Sequence, residues 1–191
     1  MENSAANLLF EVGSLKNIPR HGWLKAGIKF PETIAEHSMR AAVLGWVLAD
    51  MENADTDKVT KMCLLHDIAE SRIGDLDSVA AKYFDKKKTE LKVQLDLSRN
   101  MPKRMGREAA ELYREMDAGR TREAIIAKDA DRLEMFVQAH EYENAGHSGR
   151  ILKEWKDSVK RTLKTKSAKA LLLIVERSSF ENWWDFARKP R

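Results

Sequence analysis

The sequence has 191 residues, 43% of them hydrophobic and 34% charged, the size and balance of one soluble, compact domain. Its 34 basic and 30 acidic residues leave a net charge of +4, which suits an anionic substrate but does not by itself argue for nucleic acid. A lone cysteine, Cys63, excludes an internal disulfide, and the longest apolar run, Ala170 to Val175, is too short to cross a bilayer. The first residues, Met1-Glu2-Asn3, open no basic and apolar leader. A cytoplasmic protein without membrane association is therefore expected.

The pattern is helical almost throughout, with no run of alternating β-branched residues and no Asn-Gly or Asp-Gly hairpin signal. A first helix is expected over about residues 3–13, with Leu8, Leu9 and Val12 on one side. A loop follows through Pro19, Gly22 and Gly27. Pro31 stops what precedes the second helix, and Thr33 with Glu36 forms a capping box at its start. Its apolar face runs through Val43, Leu44, Val47 and Leu48. A third helix is expected from about Asp57 to Glu70, with Val59, Met62, Cys63 and Leu65 towards a core, before Gly74 ends the region. Further helices are expected at about 79–100, 103–117, 122–145, 149–164 and 167–188, the last broken near Ser178. The expected architecture is all-α, an irregular helical bundle forming a single domain over residues 1–191.

The chemically informative stretch is His66-Asp67-Ile68-Ala69-Glu70. On a helix turning about 100° per residue, Asp67 lies about 100° from His66 and Glu70 about 40°. A nitrogen donor, an oxygen donor and a spare carboxylate then share one sector, a donor set for a divalent ion. His37, in the first turn of the second helix, and Asp131, near the start of a long and mostly apolar helix, are further candidates. Polar groups at the edges of core-facing helices are costly to bury unpaired, and a shared cation would resolve that cost. Blander readings stand beside each: a satisfied core histidine for His37, an ion pair with Arg132 or Lys128 for Asp131, and a surface pair with Arg72 for Glu70. Asp129 competes with Asp131, but two residues place them about 200° apart on a helix, so one ion cannot easily take both.

The order His37, His66-Asp67 and Asp131 resembles the HD-domain phosphohydrolase superfamily. The segments Pro19-Arg20-His21-Gly22-Trp23, Glu36-His37-Ser38, His66-Asp67-Ile68-Ala69-Glu70-Ser71, Gly74-Asp75-Leu76 and Lys128-Asp129-Ala130-Asp131 are similar to its 5′-deoxynucleotidase branch, over about residues 15–143. The resemblance implies an all-α HD fold, a homodimer, one divalent metal ion and hydrolysis of deoxyribonucleoside 5′-monophosphates. The metal ligands it implies are His37, His66, Asp67 and Asp131, and it alone selects Asp131 over Asp129. No histidine lies between His66 and Asp131, which favours one ion over two. Two imidazoles and two carboxylates would accept manganese, cobalt, nickel, iron or zinc. Glu70 is the candidate general acid or base, one turn from His66 and able to lie beside the metal without binding it, and Asp67 is counted with it as catalytic. Arg20 would grip the substrate phosphate through its guanidinium fork. Trp23 would stack on the base or wall the sugar, although in bacterial members the tryptophan follows the arginine directly and here His21 and Gly22 intervene. Asp75 would contact the sugar.

The remaining features are assigned no chemistry. His21, His140 and His147 carry none, Lys86-Lys87-Lys88 reads as a solvated helix face, and Cys63 as a small buried hydrophobe. Trp183 and Trp184 would pack the last helix or a dimer seam. Two competing functions remain: an HD phosphohydrolase acting on another nucleotide or phosphate ester, and a non-catalytic nucleotide-binding protein of the same fold. The retention of Glu70 with every ligand position favours an enzyme. A nucleic-acid partner is not expected, because basic residues are spread along the chain rather than interleaved with aromatics.

Overall fold

The computed structural model describes residues 2–179 and 181–189. Its helices are α1 (Glu2–Gly13), α2 (His21–Lys25), α3 (Ile34–Met51), α4 (Thr56–Leu65), α5 (Glu70–Ile73), α6 (Lys86–Asn100), α7 (Lys103–Ala118), α8 (Arg122–Asn144), α9 (Arg150–Thr162), α10 (Lys166–Arg177) and α11 (Asn182–Ala187). Among the described residues there is no strand, only an isolated bridge between Pro19 and Thr33. The all-α bundle expected from sequence is what forms.

Helix α3 starts as its sequence dictates. The Thr33 hydroxyl accepts from the Glu36 amide, and the Glu36 carboxylate accepts from the Thr33 amide, so two free donors of the first turn are satisfied reciprocally. Its buried face is made of Ile34, His37, Ser38, Ala41, Ala42, Gly45, Leu48 and Ala49. This corrects the apolar stripe expected there: Val43 and Val47 are 52% and 43% exposed. The smaller residues won that face because α4 packs very close. A Cβ on Gly45 would lie 2.6 Å from Cys63 Sγ. The absence of a side chain at Gly45 thus lets α3 and α4 approach, which brings His37 towards His66.

Helix α8 completes the central layer. Ile126, Leu133 and Phe136 are fully buried against Leu48, Ala49, Val59 and Met62. Helices α9 and α10 add Val159, Leu163, Ala168 and Leu172 to the same core. A second cluster joins α6 and α7 through Leu97, Met101, Ala109 and Tyr113. At α1 only Leu8 packs on that cluster, whereas Leu9 is 73% and Val12 37% exposed.

Two helix boundaries differ from the sequence reading. The third helix ends at Leu65, and residues 66–69 form successive turns. There the Ile68 amide donates to Leu65 O (3.2 Å) and the Glu70 amide to Asp67 O (2.9 Å). The cause is tertiary: Gln94 Nε2 donates to His66 O at 2.8 Å, occupying the carbonyl to which the Glu70 amide would bond in a continuous helix. The next helix begins only at Lys86, because the Asp85 side chain caps it by accepting from the Lys88 amide. Before it lies a single 3-10 turn, Ala80–Lys82.

Candidate metal centre and substrate pocket

Three elements bring the expected ligands together. His37 comes from the first turn of α3, His66 and Asp67 from the turns after α4, and Asp131 from α8. His37 Nε2 lies 3.2 Å from His66 Nε2, 3.6 Å from Asp67 Oδ2 and 3.3 Å from Asp131 Oδ1. His66 Nε2 lies 3.1 Å from Asp67 Oδ2 and 3.7 Å from Asp131 Oδ1.

The second nitrogen of each ring is already committed. His66 Nδ1 donates to the Cys63 carbonyl at 2.6 Å, and a carbonyl can only accept. His37 Nδ1 donates to Glu134 Oε2 at 2.5 Å, while the Arg40 guanidinium donates to Glu134 Oε1 at 2.9 Å. Both Nε2 lone pairs are therefore presented to the same point, flanked by two carboxylates. Two unprotonated nitrogens 3.2 Å apart repel, and the arrangement is stable only around positive charge. Without a metal, protons supply that charge. Burial alone would keep both imidazoles neutral, but the carboxylates of Asp131 and Glu134 beside His37, and of Asp67 and Asp131 beside His66, raise them above the ordinary histidine value. Burial also opposes charge on Asp67 and Asp131, yet the imidazoles beside them hold both well below the usual carboxylate range. The donor set fits a divalent ion in place of those protons.

Asp129, the alternative to Asp131, points elsewhere. Its fully buried carboxylate accepts from the amides of Lys164 and Thr165 and from the Thr165 hydroxyl, at 2.7 to 3.1 Å. It anchors the start of α10. Arg132 bonds Thr162 O and lies 3.7 Å from Asp129, not beside Asp131.

Glu70 is 1% exposed, at the start of α5. Its Oε1 lies 3.8 Å from Lys86 Nζ, and its Oε2 has no hydrogen-bond partner among the described residues. Arg72, the surface partner considered from sequence, pairs with Glu11 instead. Burial, reinforced by the negative charges of Asp67 and Asp75, pushes the Glu70 carboxyl up to about 9. A carboxyl in that state holds a proton it can deliver, and releases it when positive charge arrives nearby. The Lys86-Lys87-Lys88 run is thus only partly a solvated face. Lys86 is half-buried, its Nζ 3.8 Å from Glu70 Oε1 and 3.4 Å from Glu90 Oε1.

The loop before α3 places Arg20. The Arg20 amide donates to Glu32 O at 3.0 Å and the Ile34 amide to Ile18 O at 2.9 Å, closing the loop at its neck. Arg20 Nη1 then reaches Asp67 Oδ2 at 3.1 Å. Gly74, at φ 71 and ψ 171, turns the chain where a Cβ would be strained, and the next residue, Asp75, accepts the His21 amide at 2.7 Å. Asp75 therefore ties the two loops of the pocket together. Trp23 is 2% exposed, donates Nε1 to Glu32 at 2.9 Å and meets the rings of Tyr142 and Trp155 edge-on. Most of its ring is core, and what faces the pocket is a wall rather than an open stacking platform.

Two chambers adjoin the cluster and share Asp67, Asp131 and Lys86. One, of about 500 Å³, contains Arg20, Trp23, Glu70 and Asp75. The other, of about 350 Å³, lies between α6, α7 and α8 and contains Gln94, Tyr113 and Lys128. The sequence did not single out Glu134, Arg40 or Gln94, and it marked Lys86 only as part of a solvated face. A buried acid one turn after Asp131 was a weak available sign for Glu134. Burial also pushes the Cys63 thiol up to about 12, which removes it as a nucleophile. Trp183 and Trp184 are 63% and 57% exposed and do not pack α11 onto the core.

A helical bundle that gathers His, His-Asp and Asp donors around one point defines a class of metal-binding fold, and the comparisons with known proteins agree. The family described as HD domain matches residues 12–172. The chain belongs to the HD-domain family. It is 32% identical over 145 residues to 5'-deoxynucleotidase HDDC2 of Dictyostelium discoideum, covering 71% of this chain and 75% of that protein. It is 31% identical over 150 residues to 5'-deoxynucleotidase HDDC2 of Homo sapiens, covering 77% and 72% respectively. A conserved hypothetical protein from Pyrococcus furiosus superposes with a TM-score of 0.75 at 32% identity, over 91% of this chain and 99% of that one.

Proposed function

We propose that this protein is a metal-dependent phosphohydrolase that converts deoxyribonucleoside 5′-monophosphates to deoxynucleoside and phosphate. The observation that carries the reading is the position of Glu70. It is a buried, proton-holding carboxyl with a free oxygen, in the same chamber as Arg20 and next to the His37, His66, Asp67 and Asp131 cluster. The likeness to 5'-deoxynucleotidases supports the substrate class.

His37, His66, Asp67 and Asp131 would hold one divalent ion, for which manganese, cobalt, nickel, iron and zinc are all acceptable to two imidazoles and two carboxylates. When bound, it would supply an activated water and neutralise charge on the phosphoryl group. Arg20 swings its guanidinium between Asp67 and a phosphate oxygen, holding the ester in place. Glu70 moves the proton, between the attacking water and the leaving 5′ oxygen. Asp75, fixed by the His21 amide through one oxygen, offers its remaining acceptor capacity to a sugar hydroxyl. Trp23 shapes the wall beside the sugar and base.

We further propose that residues 1–191 act as one domain and pair as a homodimer. The exposed side chains of Met39, Val43, Trp46 and Val47 on α3, beside Leu173 and Ile174 on α10, supply an apolar face for the second copy. Among the described residues no helix is long and apolar enough to cross a membrane, and we place the protein in the cytoplasm.

The deciding experiment strips the protein with chelator and measures phosphate release from a panel of ribo- and deoxyribonucleoside monophosphates, with each metal added back. Release from deoxynucleotides that depends on metal and vanishes in Asp67→Ala is the expected result. No release from any nucleotide, with metal still bound, overturns the substrate assignment. Light scattering at several concentrations tests the dimer, and a monomer throughout overturns it.

A further inference from the structure

The second chamber, between α6, α7 and α8, has no role in the assignments above. Outside the metal cluster it contains three ammonium groups, Lys86, Lys87 and Lys128, and two carboxylates, Glu90 and Asp117. Lys86 lies 3.4 Å from Glu90 and Lys87 3.2 Å from Asp117. Among the described residues Lys128 makes no hydrogen bond or ion pair. Burial and the neighbouring cations Lys87, Arg132 and Lys164 disfavour its charge and outweigh the one carboxylate acting on it, Asp117, which is itself paired with Lys87. In the same chamber the Tyr113 hydroxyl is buried without a hydrogen-bond partner among the described residues. An unpaired cation and an unsatisfied hydroxyl in one cavity are both answered by an oxyanion.

The chamber beside Trp23 has the opposite character. Its cations, Arg20, Lys25 and Lys86, face Asp75, Asp77 and Glu154 before Glu70 is counted. With Arg20 given to the substrate phosphate, its other cations, Lys25 and Lys86, are outnumbered by those carboxylates.

The proposed reaction creates two products of unlike charge. A water oxygen joins phosphorus and the bond to the 5′ oxygen breaks. The water loses a proton, the leaving oxygen gains one, and a neutral nucleoside separates from a phosphate anion. The attacking oxygen approaches phosphorus on the side away from the leaving oxygen. With the nucleoside held beside Trp23, the space on the other side of Asp67 and Asp131 is the second chamber.

We propose that the chamber lined by Lys128 and Tyr113 is an orthophosphate site, through which the anion leaves while the nucleoside departs past Trp23. The proposal rests on the phosphohydrolase reading for its role in turnover, but the binding it asserts does not need catalysis.

The experiment titrates inorganic phosphate into the metal-loaded protein by calorimetry, using wild type, Lys128→Gln, Tyr113→Phe and, from the other chamber, Lys25→Gln. Loss of one charge-assisted hydrogen bond predicts binding on the order of tenfold weaker in Lys128→Gln. Tyr113→Phe, which removes only one oxygen, is expected to weaken phosphate binding by a smaller factor. Lys25→Gln should bind phosphate as wild type does, and binding of deoxynucleoside should not differ between wild type and Lys128→Gln. Where turnover is measurable, the inhibition constant for phosphate rises with the same ranking. Equal phosphate affinity in Lys128→Gln and wild type, with unchanged metal content, overturns the proposal, as does an equal loss in Lys25→Gln. Failure of the phosphohydrolase reading shows separately, as no release from any nucleotide, and leaves the calorimetric comparison intact.

Discussion

His37 and Glu134 form a fully buried pair, Nδ1 to Oε2 at 2.5 Å, on two helices 97 residues apart in sequence. The pair fixes which histidine nitrogen carries the proton and aims the other at His66 and Asp131. Arg40 holds Glu134 in turn, and bonds Glu141 through both carboxylate oxygens at 2.7 and 2.8 Å. The orientation of one metal ligand thus depends on a chain of charges between α3 and α8, buried at Glu134 and partly exposed at Arg40 and Glu141.

Glu134→Gln should weaken metal affinity by about 10- to 100-fold, the cost of a lost carboxylate behind a ligating histidine. Competition with a chelator of known affinity measures it. Unchanged affinity would mean that His37 is oriented by packing alone.

Asp129→Ala and Asp131→Ala should separate cleanly. The first strips the anchor of α10 and lowers stability by roughly 1–3 kcal/mol, because the Lys164 and Thr165 amides lose their acceptor, while metal content stays near wild type. The second removes the metal. Paired denaturant and metal-content measurements read both, and metal loss in the Asp129 variant would reverse the ligand assignment.

Gly45→Ala should destabilise by about 1–3 kcal/mol through overpacking, because its Cβ would sit 2.6 Å from Cys63 Sγ. Adding Cys63→Ala should recover part of that loss, since the two side chains share one space. Purely additive effects in the double variant would rule out the contact as the cause.

The stability of the metal-free protein should depend on Glu70 with a definite sign. Its folded value, about 9, stands above the unfolded 4.5. Below pH 4.5 the carboxyl is protonated in both states and costs nothing. As pH rises from there towards about 9 the unfolded chain loses the proton first, so folding stability is progressively lost. Glu70→Gln removes that loss, and its stability should gain on wild type between pH 5 and 8 by denaturant titration, while phosphate release falls by about 10²- to 10⁴-fold. A stability difference independent of pH would exclude a raised carboxyl.

How much was legible depended on the range of the interaction involved. Thr33 and Glu36 are three residues apart, so the start of α3 could be read from the chain directly. The end of α4 could not, because what stops it is Gln94, 28 residues away, taking the His66 carbonyl. The His66, Asp67 and Glu70 convergence was expected from helical angles, yet tight turns produce it. Val43 and Val47 looked like core by apolarity, but the close approach at Gly45 gave that face to alanines. The Lys86 run looked solvated because lysine usually is, and only the folded chain places Lys86 beside Glu70.

The sequence by itself determined the helical class, the capping of α3 and the inventory of donors, because these follow from local periodicity and from residue types whose chemistry does not depend on neighbours. The tertiary structure decided which donors meet. It turned Asp131 to the histidines and Asp129 to α10, buried Glu70 without a partner for Oε2, and set Glu134 behind His37. Those outcomes depend on how α3, α4 and α8 pack, and packing joins residues that no local pattern relates.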